Sequence, residues 1–550
     1  MTPHAKQRVE RAVRLDRPVR TTDGVSQRRL WPFVILAGAV LLVLAVRLRL
    51  AGLPLERDEG EYAYVGQLML QGVPPYVAAY SMKLPGTYAV YAAVMALAGQ
   101  TPTAIRLGLL AINLATMLLI FLLGRRLVDA SMGAIAAAAY GVMSFGISVM
   151  GFAAHATHFV VLFAVAGLLV LHQALDSEKP WRLAASGALL GVAFVMKQHG
   201  ILFALFGAAW LLARDLGRPR VTRRVAAQRL AVFVGGAAVP VAAVLVAIAA
   251  AGVFRKFWFW NVVYAADYAT GSTLTQGMDN LVYQLGHMRP LSGFAVLAGI
   301  GFLSAFRGDD AQRRVPYLGG LLVLSAAAVA PGLYFRDHYF IQLLPAVALL
   351  IGLAVTTLAR RFGRAAAVVL FLVAAAIAVG SEQAHYFRMS PVAFCRAVYG
   401  SNPFPEAVDV AAHVKELTRA GDRVAVLGSE PEIYFASGRR AATGHIYMYG
   451  LMEDQPHSLA MQKELESEIE AAAPAVVVVV NVSLSWILRA GSENDVFRWA
   501  ESFLADHYEQ VGSVQILEGG SKAAWSGPGA SEIPGSENYL LVYRRKGVEF

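Results

Sequence analysis

The sequence predicts a polytopic α-helical membrane protein of about 11–13 spans with a C-terminal soluble α/β domain. Three observations predict it. The 550 residues are 57% hydrophobic and only 16% charged, where soluble globular chains run nearer ~25% charged. Apolar stretches approaching the ~20 residues that cross a bilayer recur as far as residue 381. Beyond that point the charge balance reverses: residues 1–381 carry 34 Lys+Arg against 16 Asp+Glu, and residues 382–550 carry 14 against 22.

Residues 1–30 hold eight Lys+Arg and no apolar run, which makes them a basic cytoplasmic tail. The first apolar segment, 31–50, is too long for the core of a cleaved signal and reads as an anchor entering from the cytoplasm. Further segments follow at 105–124, 131–150, 157–174, 181–197, 200–213, 230–253, 292–306, 316–334, 339–358 and 365–381. The stretch GTYAVYAAVMALA (86–98) is apolar but short, and segments of ~10–14 residues are more often re-entrant or interfacial than spanning.

Basic loops test that choice. With 86–98 not spanning, Arg125 and Arg126, SEKPWR (177–182), RDLGRPRVTRRVAAQR (214–229), RGDDAQRR (307–314) and ARRFGR (359–364) all fall on the cytoplasmic side, as the positive-inside rule requires. The transmembrane region is then 31–381, with a large first outer loop at 53–103, and residues 382–550 lie outside the cytoplasm. The net charge of +10 belongs to the short basic loops and is no sign of nucleic acid. The single cysteine, Cys395, excludes an intramolecular disulfide and a Cys-rich metal site.

After residue 381, HVKELTRAGDRVAVLG reads as a helix, a glycine stop and a buried strand. SLAMQKELESEIEAAAPAVVVVVNV repeats that order, and YEQVGSVQI and NYLLVYRRK supply further strands. Continuous valine runs flanked by helices imply a partly parallel sheet covered on both faces. SGPGASEIPGSEN (526–538) is a loop. The chain carries no GxGxxG and no Walker sequence, hence no nucleotide fingerprint.

Candidate chemistry concentrates on the outer side. LERDEGEYAY (55–64) packs five charges into six residues just past the first span. Such a loop is ordinarily a solvated one. Asp58 and Glu59 could instead bind a divalent cation or accept a proton from an attacking hydroxyl. Lys83 precedes Leu84-Pro85-Gly86, and a lysine before a helix start suits phosphate; the plainer reading is a lysine snorkelling at the membrane surface. Lys197 and His199 share another outer turn, and FRDHYF (335–340) adds Arg336, His338 and Tyr339. Arginine can hold phosphate oxygens bidentately. His155 and His158 could share a helical face and a metal, although polar capping is the commoner use of such residues. If the fold gathers these groups, they make a base facing a cationic phosphate cradle beside lipid.

At these residues the chain resembles the membrane-embedded glycosyltransferases of the GT-C type. It is similar to their family 39 and aminoarabinose-transferase-like group, which includes protein O-mannosyltransferases. RDEGEYAY, MKLPGTYAVYAAVMALAGQTPTAIRL, GVAFVMKQHGILF and FRDHYFIQLLPAVALL carry the resemblance in order, and GSEPEIYFASGRR resembles a strand and loop of the soluble domain. The resemblance implies a polyprenyl-phosphate sugar donor and inverting transfer to a glycan, lipid or protein outside the cytoplasmic (inner) membrane. It implies Asp58 as base or metal-linked carboxylate with Glu59 beside it, and Lys83, Arg336 and Tyr339 as donor-phosphate contacts. Two features depart from the family: Lys83-Leu84-Pro85 stands where it has Lys-Pro-Pro, and His155 and His158 stand where an acidic residue is common. No cofactor is certain, and a divalent metal stays open.

The expected function is therefore transfer of a sugar from a lipid-linked donor. One rival is a transporter or flippase of a lipid-linked glycan, which the near absence of charge within the spans disfavours. Another is a membrane anchor presenting the outer domain to a partner, which the charged first loop disfavours.

Overall fold

The computed structural model describes residues 30–547 apart from 178, 220 and 308–310. All but the last residue of the expected basic tail lies outside the described residues. Each expected apolar segment overlaps a helix, although the helices within 131–150 and 316–334 stop early, at Met143 and Ala327. In order these are α1 (Trp31–Arg49), α2 (Arg57–Leu70), α3 (Pro85–Ala98), α4 (Pro102–Leu127), α5 (Ala130–Met143), α6 (Ala156–Leu175), α7 (Pro180–Met196), α8 (Ile201–Leu216) and α9 (Arg223–Ala250). Then come α10 (Leu274–His287), α11 (Ser292–Ala305), α12 (Ala311–Ala327), α13 (Leu344–Phe362) and α14 (Arg364–Ser381); α2 and α10 fall outside the expected segments.

The chain is a multi-pass membrane protein, but its span lengths differ from expectation. Among the described residues seven helices are long and apolar enough to cross a membrane, and eight if the bent pair at 274–305 counts as one. The others, including α5 and α7 with 14 and 17 residues, are shorter. Helix α5 is almost wholly buried by neighbouring helices and α7 about half buried, so neither needs a full lipid-facing length.

The basic turns gather at one end of the bundle. Arg126 pairs with Asp176, Arg218 donates to the Leu175 carbonyl, Arg229 pairs with Asp215, and Arg360 pairs with Asp129. Helix α3 does not leave the opposite end. Lys83, before its start, contacts Asp58, and Gln100, after its end, accepts from Gln67, so both ends meet α2. The re-entrant or interfacial reading of 86–98 describes this geometry.

Helix α2 starts where its own side chains cap it. The Glu59 amide donates to Glu56 Oε1 at 2.9 Å, and the Glu56 amide donates to Glu59 Oε2 at 3.4 Å. Asp58 and Glu59 in the first turn also favour the helix dipole.

The C-terminal part forms a six-stranded sheet in the order β2-β1-β3-β6-β4-β5, from β1 (Arg423–Leu427), β2 (Arg440–Ala441), β3 (Val476–Asn481), β4 (Tyr508–Leu517), β5 (Gly520–Ala524) and β6 (Tyr539–Arg545). The β1–β2 and β1–β3 pairs are parallel and the rest antiparallel. The four strands expected from periodicity are present, and β2 and β5 are too short or too polar to show a pattern. GSEPEIYFASGRR, which resembles a strand and loop, instead forms the short helix Pro431–Ser437, with its proline at the first helical position.

This domain packs directly on the first loop. Helix α2 meets the short helix Pro431–Ser437 at Gly60, where a Cβ would stand 2.7 Å from the Glu432 nitrogen and 2.8 Å from its Cβ. Gly60→Ala is therefore expected to cost about 1–3 kcal/mol by overpacking, read as a lowered unfolding midpoint of the full-length protein. An unchanged midpoint would show that the two surfaces do not meet this closely.

Candidate functional site

A cavity of about 410 Å³ lies at the end of the bundle away from the basic turns. The first loop supplies Glu56, Asp58, Glu61 and Tyr62; the start of α3 supplies Lys83. Three further turns supply His155, Lys197 with His199, and Arg336 with His338 and Tyr339. The soluble domain closes the top with Tyr447, Tyr449 and Glu453. Eight of the ten candidate residues thus share one space.

Local structure places each group. The Pro85-Gly86 start of α3 packs on the end of α7, where a Cβ at Gly86 would meet the Val195 carbonyl oxygen at 2.6 Å. That contact sets Lys83 near Lys197, which caps α7. Gln198 donates to the Met82 carbonyl at 2.7 Å and fixes the same pair of turns. Arg336 begins a 3₁₀ turn over Asp337–Leu343 after two non-glycine residues at positive φ, Leu333 and Phe335.

Asp58 is the hub. Its Oδ1 accepts from Lys83 Nζ at 2.7 Å and from the Tyr447 hydroxyl at 3.4 Å. Its Oδ2 stands 3.9 Å from His155 Nδ1. Burial alone would raise the Asp58 carboxyl, but the Lys83 ammonium above all holds it well below the usual carboxylate range. Lys83 is not a free cation. It also contacts Glu61 Oε2 at 2.7 Å and lies over the rings of Tyr62 and Tyr447. Burial would lower its ammonium, but the two carboxylates hold it well above the ordinary lysine range.

The unengaged cations are Lys197 and Arg336. Among the described residues neither has a carboxylate partner or hydrogen bond through its charged group; Lys197 Nζ sits 4.0 Å from the centre of the Tyr339 ring, and Arg336 lies over Tyr334. Burial pulls the Lys197 ammonium down to about 7; Asp58 partly offsets this and Lys83 adds to it. Glu56, pushed up to about 8 by burial and then by Asp58 and Glu59, titrates close by.

Two expected residues stay off the cavity. Glu59 turns inward, accepting from Arg106 at 2.5 Å and from the Ala154 amide at 2.6 Å. It ties the loop bearing His155 to the helix bearing Asp58, so its work is positional. His158 faces the Gly151 carbonyl at 3.0 Å and shares no site with His155. The partner His155 does have is His338, with ring centres 4.1 Å apart.

Asp58, His155 and His338 each offer an atom that could ligate a metal, and these atoms lie within 4.8 Å of one another. Both ring nitrogens of His155 are buried without a hydrogen-bond partner, which fits a ligand role. Burial draws this imidazole down to about 3 despite Asp58, so it is neutral and able to ligate at neutral pH.

Sequence reasoning missed the roof. Tyr447 and Tyr449 sit in GHIYMYG (444–450), which carries no signature of chemistry. It also missed Arg57, whose guanidinium donates to the Ser429 carbonyl at 2.5 Å, the Tyr449 hydroxyl at 2.6 Å, Glu430 at 2.8 Å and Asn402 at 3.0 Å. Every partner lies in the soluble domain, so the residue beside Asp58 is the bolt between the two parts.

The fold has known counterparts. ArnT from Cupriavidus metallidurans, in a structure bound to undecaprenyl phosphate, matches with a TM-score of 0.55 at 15% identity over 94% of this chain and 98% of that one. The archaeal oligosaccharyltransferase AglB from Archaeoglobus fulgidus, in complex with an inhibitory peptide and a dolichol-phosphate, matches with a TM-score of 0.53 at 14% identity over 92% and 75%. The fold is that of the GT-C membrane glycosyltransferases. The model of the dolichyl-phosphate-mannose-protein mannosyltransferase family matches residues 82–246, a stretch that includes Lys83, His155 and Lys197. The Archaeoglobus fulgidus oligosaccharyltransferase in a complex with Zn and sulfate shares the GT-C fold at a TM-score of 0.50, with 15% identity over 90% of this chain and 73% of that one. No curated protein matches the chain in sequence.

Proposed function

We propose that the protein is an inverting glycosyltransferase that takes a sugar from a polyprenyl-phosphate donor at the outer face of the cytoplasmic membrane. The acceptor is a glycan, lipid or protein. One observation carries the reading: an ionised carboxylate and two unengaged cations share a cavity at the end of the bundle opposite the basic turns. Undecaprenyl phosphate and dolichol-phosphate on the GT-C neighbours support a donor of this class.

The roles follow from the contacts. The donor phosphate sits against Lys197 and Arg336, with Tyr339 beside them, and its charge grows there as the bond to the anomeric carbon breaks. Preorganised cations aimed at developing charge supply most of such help. Lys83 keeps Asp58 ionised and oriented rather than holding phosphate itself. An acceptor hydroxyl donates to Asp58, attacks the anomeric carbon from the face opposite the phosphate, and gives up its proton as the new C–O bond forms. Asp58 is a weak base in this setting, so the proton moves late, once the attacking oxygen has become acidic. Asp58, His155 and His338 would hold a divalent cation, which when bound would supply Lewis-acid charge next to the phosphate.

The test is transfer by the full-length protein in nanodiscs, from polyprenyl-phosphate sugars to a membrane lipid and glycan extract, with product and freed polyprenyl phosphate read by mass spectrometry. Lys197→Ala and Arg336→Ala should each lower the rate by roughly 10²-fold. Movement of an intact lipid-linked glycan across the bilayer, with no new glycosidic bond, would replace this reading with the flippase.

The cradle should also respond to pH. Lys197 is charged below about pH 7 and neutral above it. A phosphodiester donor keeps its single charge over this range, so its affinity should fall as pH rises from 6 to 8.5. The limit is about tenfold per pH unit above the lysine's pKa, since one unit corresponds to ~1.4 kcal/mol. Glu56 gains negative charge in the same window with the same sign, so the decisive comparison is Lys197→Gln. That variant should bind weakly at pH 6 and lose most of the pH slope; an undiminished slope would acquit Lys197.

A further inference from the structure

A second cavity, of about 330 Å³, adjoins the first and shares Arg336 with it. Its polar lining is Ser272, Gln276, Asn280, Tyr334, Arg336 and Arg489, with no carboxylate. Arg489 comes from the soluble domain. Its guanidinium reaches Glu453 at 3.7 Å, but that carboxylate lies on the wall of the first cavity and accepts from the Tyr264 hydroxyl at 2.7 Å. Two weakly compensated guanidiniums therefore face a space that offers only neutral polar groups besides. Such a space selects an anion with several oxygens.

The wall of this cavity says where the anion comes from. Helix α10 exposes Leu274, Met278, Val282 and Leu285 along one side. Gln276, Asn280 and Gln284 recur at helical spacing on the other, where Asn280 donates to the Leu333 carbonyl and Gln284 to the Ser148 carbonyl. The helix meets the apolar helix that follows at 59°. An amphipathic helix turned away from a span lies in the membrane surface with its apolar side toward the acyl chains. The polar side then faces the cavity at headgroup depth.

We propose that this cavity is an anion subsite at the membrane surface that holds a phosphate or carboxylate headgroup carried by the acceptor. The assignment deepens the transferase reading and rests on it. Arg336, on the wall common to both spaces, brings the acceptor's anion beside the donor's phosphate. No bond forms or breaks in the second cavity; it fixes the acceptor so that a neighbouring hydroxyl reaches Asp58.

The experiment measures anion binding, without sugar donor, to the full-length protein in neutral-lipid nanodiscs. One arm titrates inorganic phosphate; the other places short-chain phosphatidic acid in the disc and reads its retention by mass spectrometry. Arg489→Gln and Gln276→Glu alter residues that line the second cavity alone. Each should weaken one arm at least tenfold. Weakening in the phosphatidic acid arm upholds a headgroup carried on lipid, and weakening in the phosphate arm alone makes the occupant a free anion and overturns the acceptor-borne headgroup. Wild-type binding by both variants in both arms overturns the subsite. Gln276→Glu guards against the case in which Arg489→Gln acts by loosening the soluble domain. Because no donor is present, an unaltered anion result alongside intact sugar transfer removes this subsite and leaves the transferase. Weakened binding alongside no transfer from any lipid-linked donor upholds the subsite and removes the transferase.

Discussion

Asp58→Asn should lower sugar transfer by roughly 10²–10⁴-fold, the range for losing a positioned general base, while donor binding changes little. The asparagine keeps the size of the carboxylate but cannot take the proton. It leaves Lys83 with Glu61 as its remaining anion at 2.7 Å, so the loop keeps its anchor and the change isolates the chemistry. The binding control is essential: donor affinity by titration should stay within about threefold, because the cations assigned to the phosphate are Lys197 and Arg336. A transfer rate within threefold of wild type would remove Asp58 from the reaction. Glu59→Gln gives the contrast. Its carboxylate is buried between Arg106 and the Ala154 amide, so that substitution should act on unfolding first.

Breaking the bolt between the two parts should have the largest effect on stability. Arg57→Met leaves Glu430 fully buried with no cation, and loss of one member of a buried ion pair costs about 3–5 kcal/mol. It also strips donors from Asn402, the Ser429 carbonyl and the Tyr449 hydroxyl. Replacing both members, Arg57→Met with Glu430→Met, should recover a large part of the loss, because no unpaired charge then remains inside. Unfolding midpoints of the wild type, the two single variants and the double variant form the cycle that reads this coupling. Additive losses would mean that the pair is not coupled. Transfer should fall with Arg57→Met even where the protein stays folded, since the next residue is Asp58 and the tyrosines above it move with the soluble domain.

The parts of the fold that sequence expressed were those set by periodicity and composition. Apolar segments of membrane length, the parity fixed by basic turns, and the four longer strands each leave a local mark. Span number was less legible, because α5 and α7 are shielded by neighbouring helices and need no full apolar length. For the site, the turns bearing Asp58, Lys83, Lys197 and Arg336 stood out because charge is rare in this chain. The division of labour among those charges did not. Lys83 read as a phosphate ligand, yet it sits between Asp58 and Glu61. Glu59 read as catalytic, yet the capping box and Arg106 claim it. Tyr447 and Arg489 gave no signal, since a tyrosine or arginine in a soluble domain has many ordinary uses.

The sequence by itself determined that this chain crosses a membrane many times, which end of the bundle is basic, and that an α/β domain follows, because hydrophobic length and charge asymmetry act locally along the chain. Only the tertiary structure decided which cations are free to meet an anion and which are already neutralised. Pairing depends on distances between side chains such as Arg57 and Glu430, 373 positions apart, and no local pattern encodes such a distance.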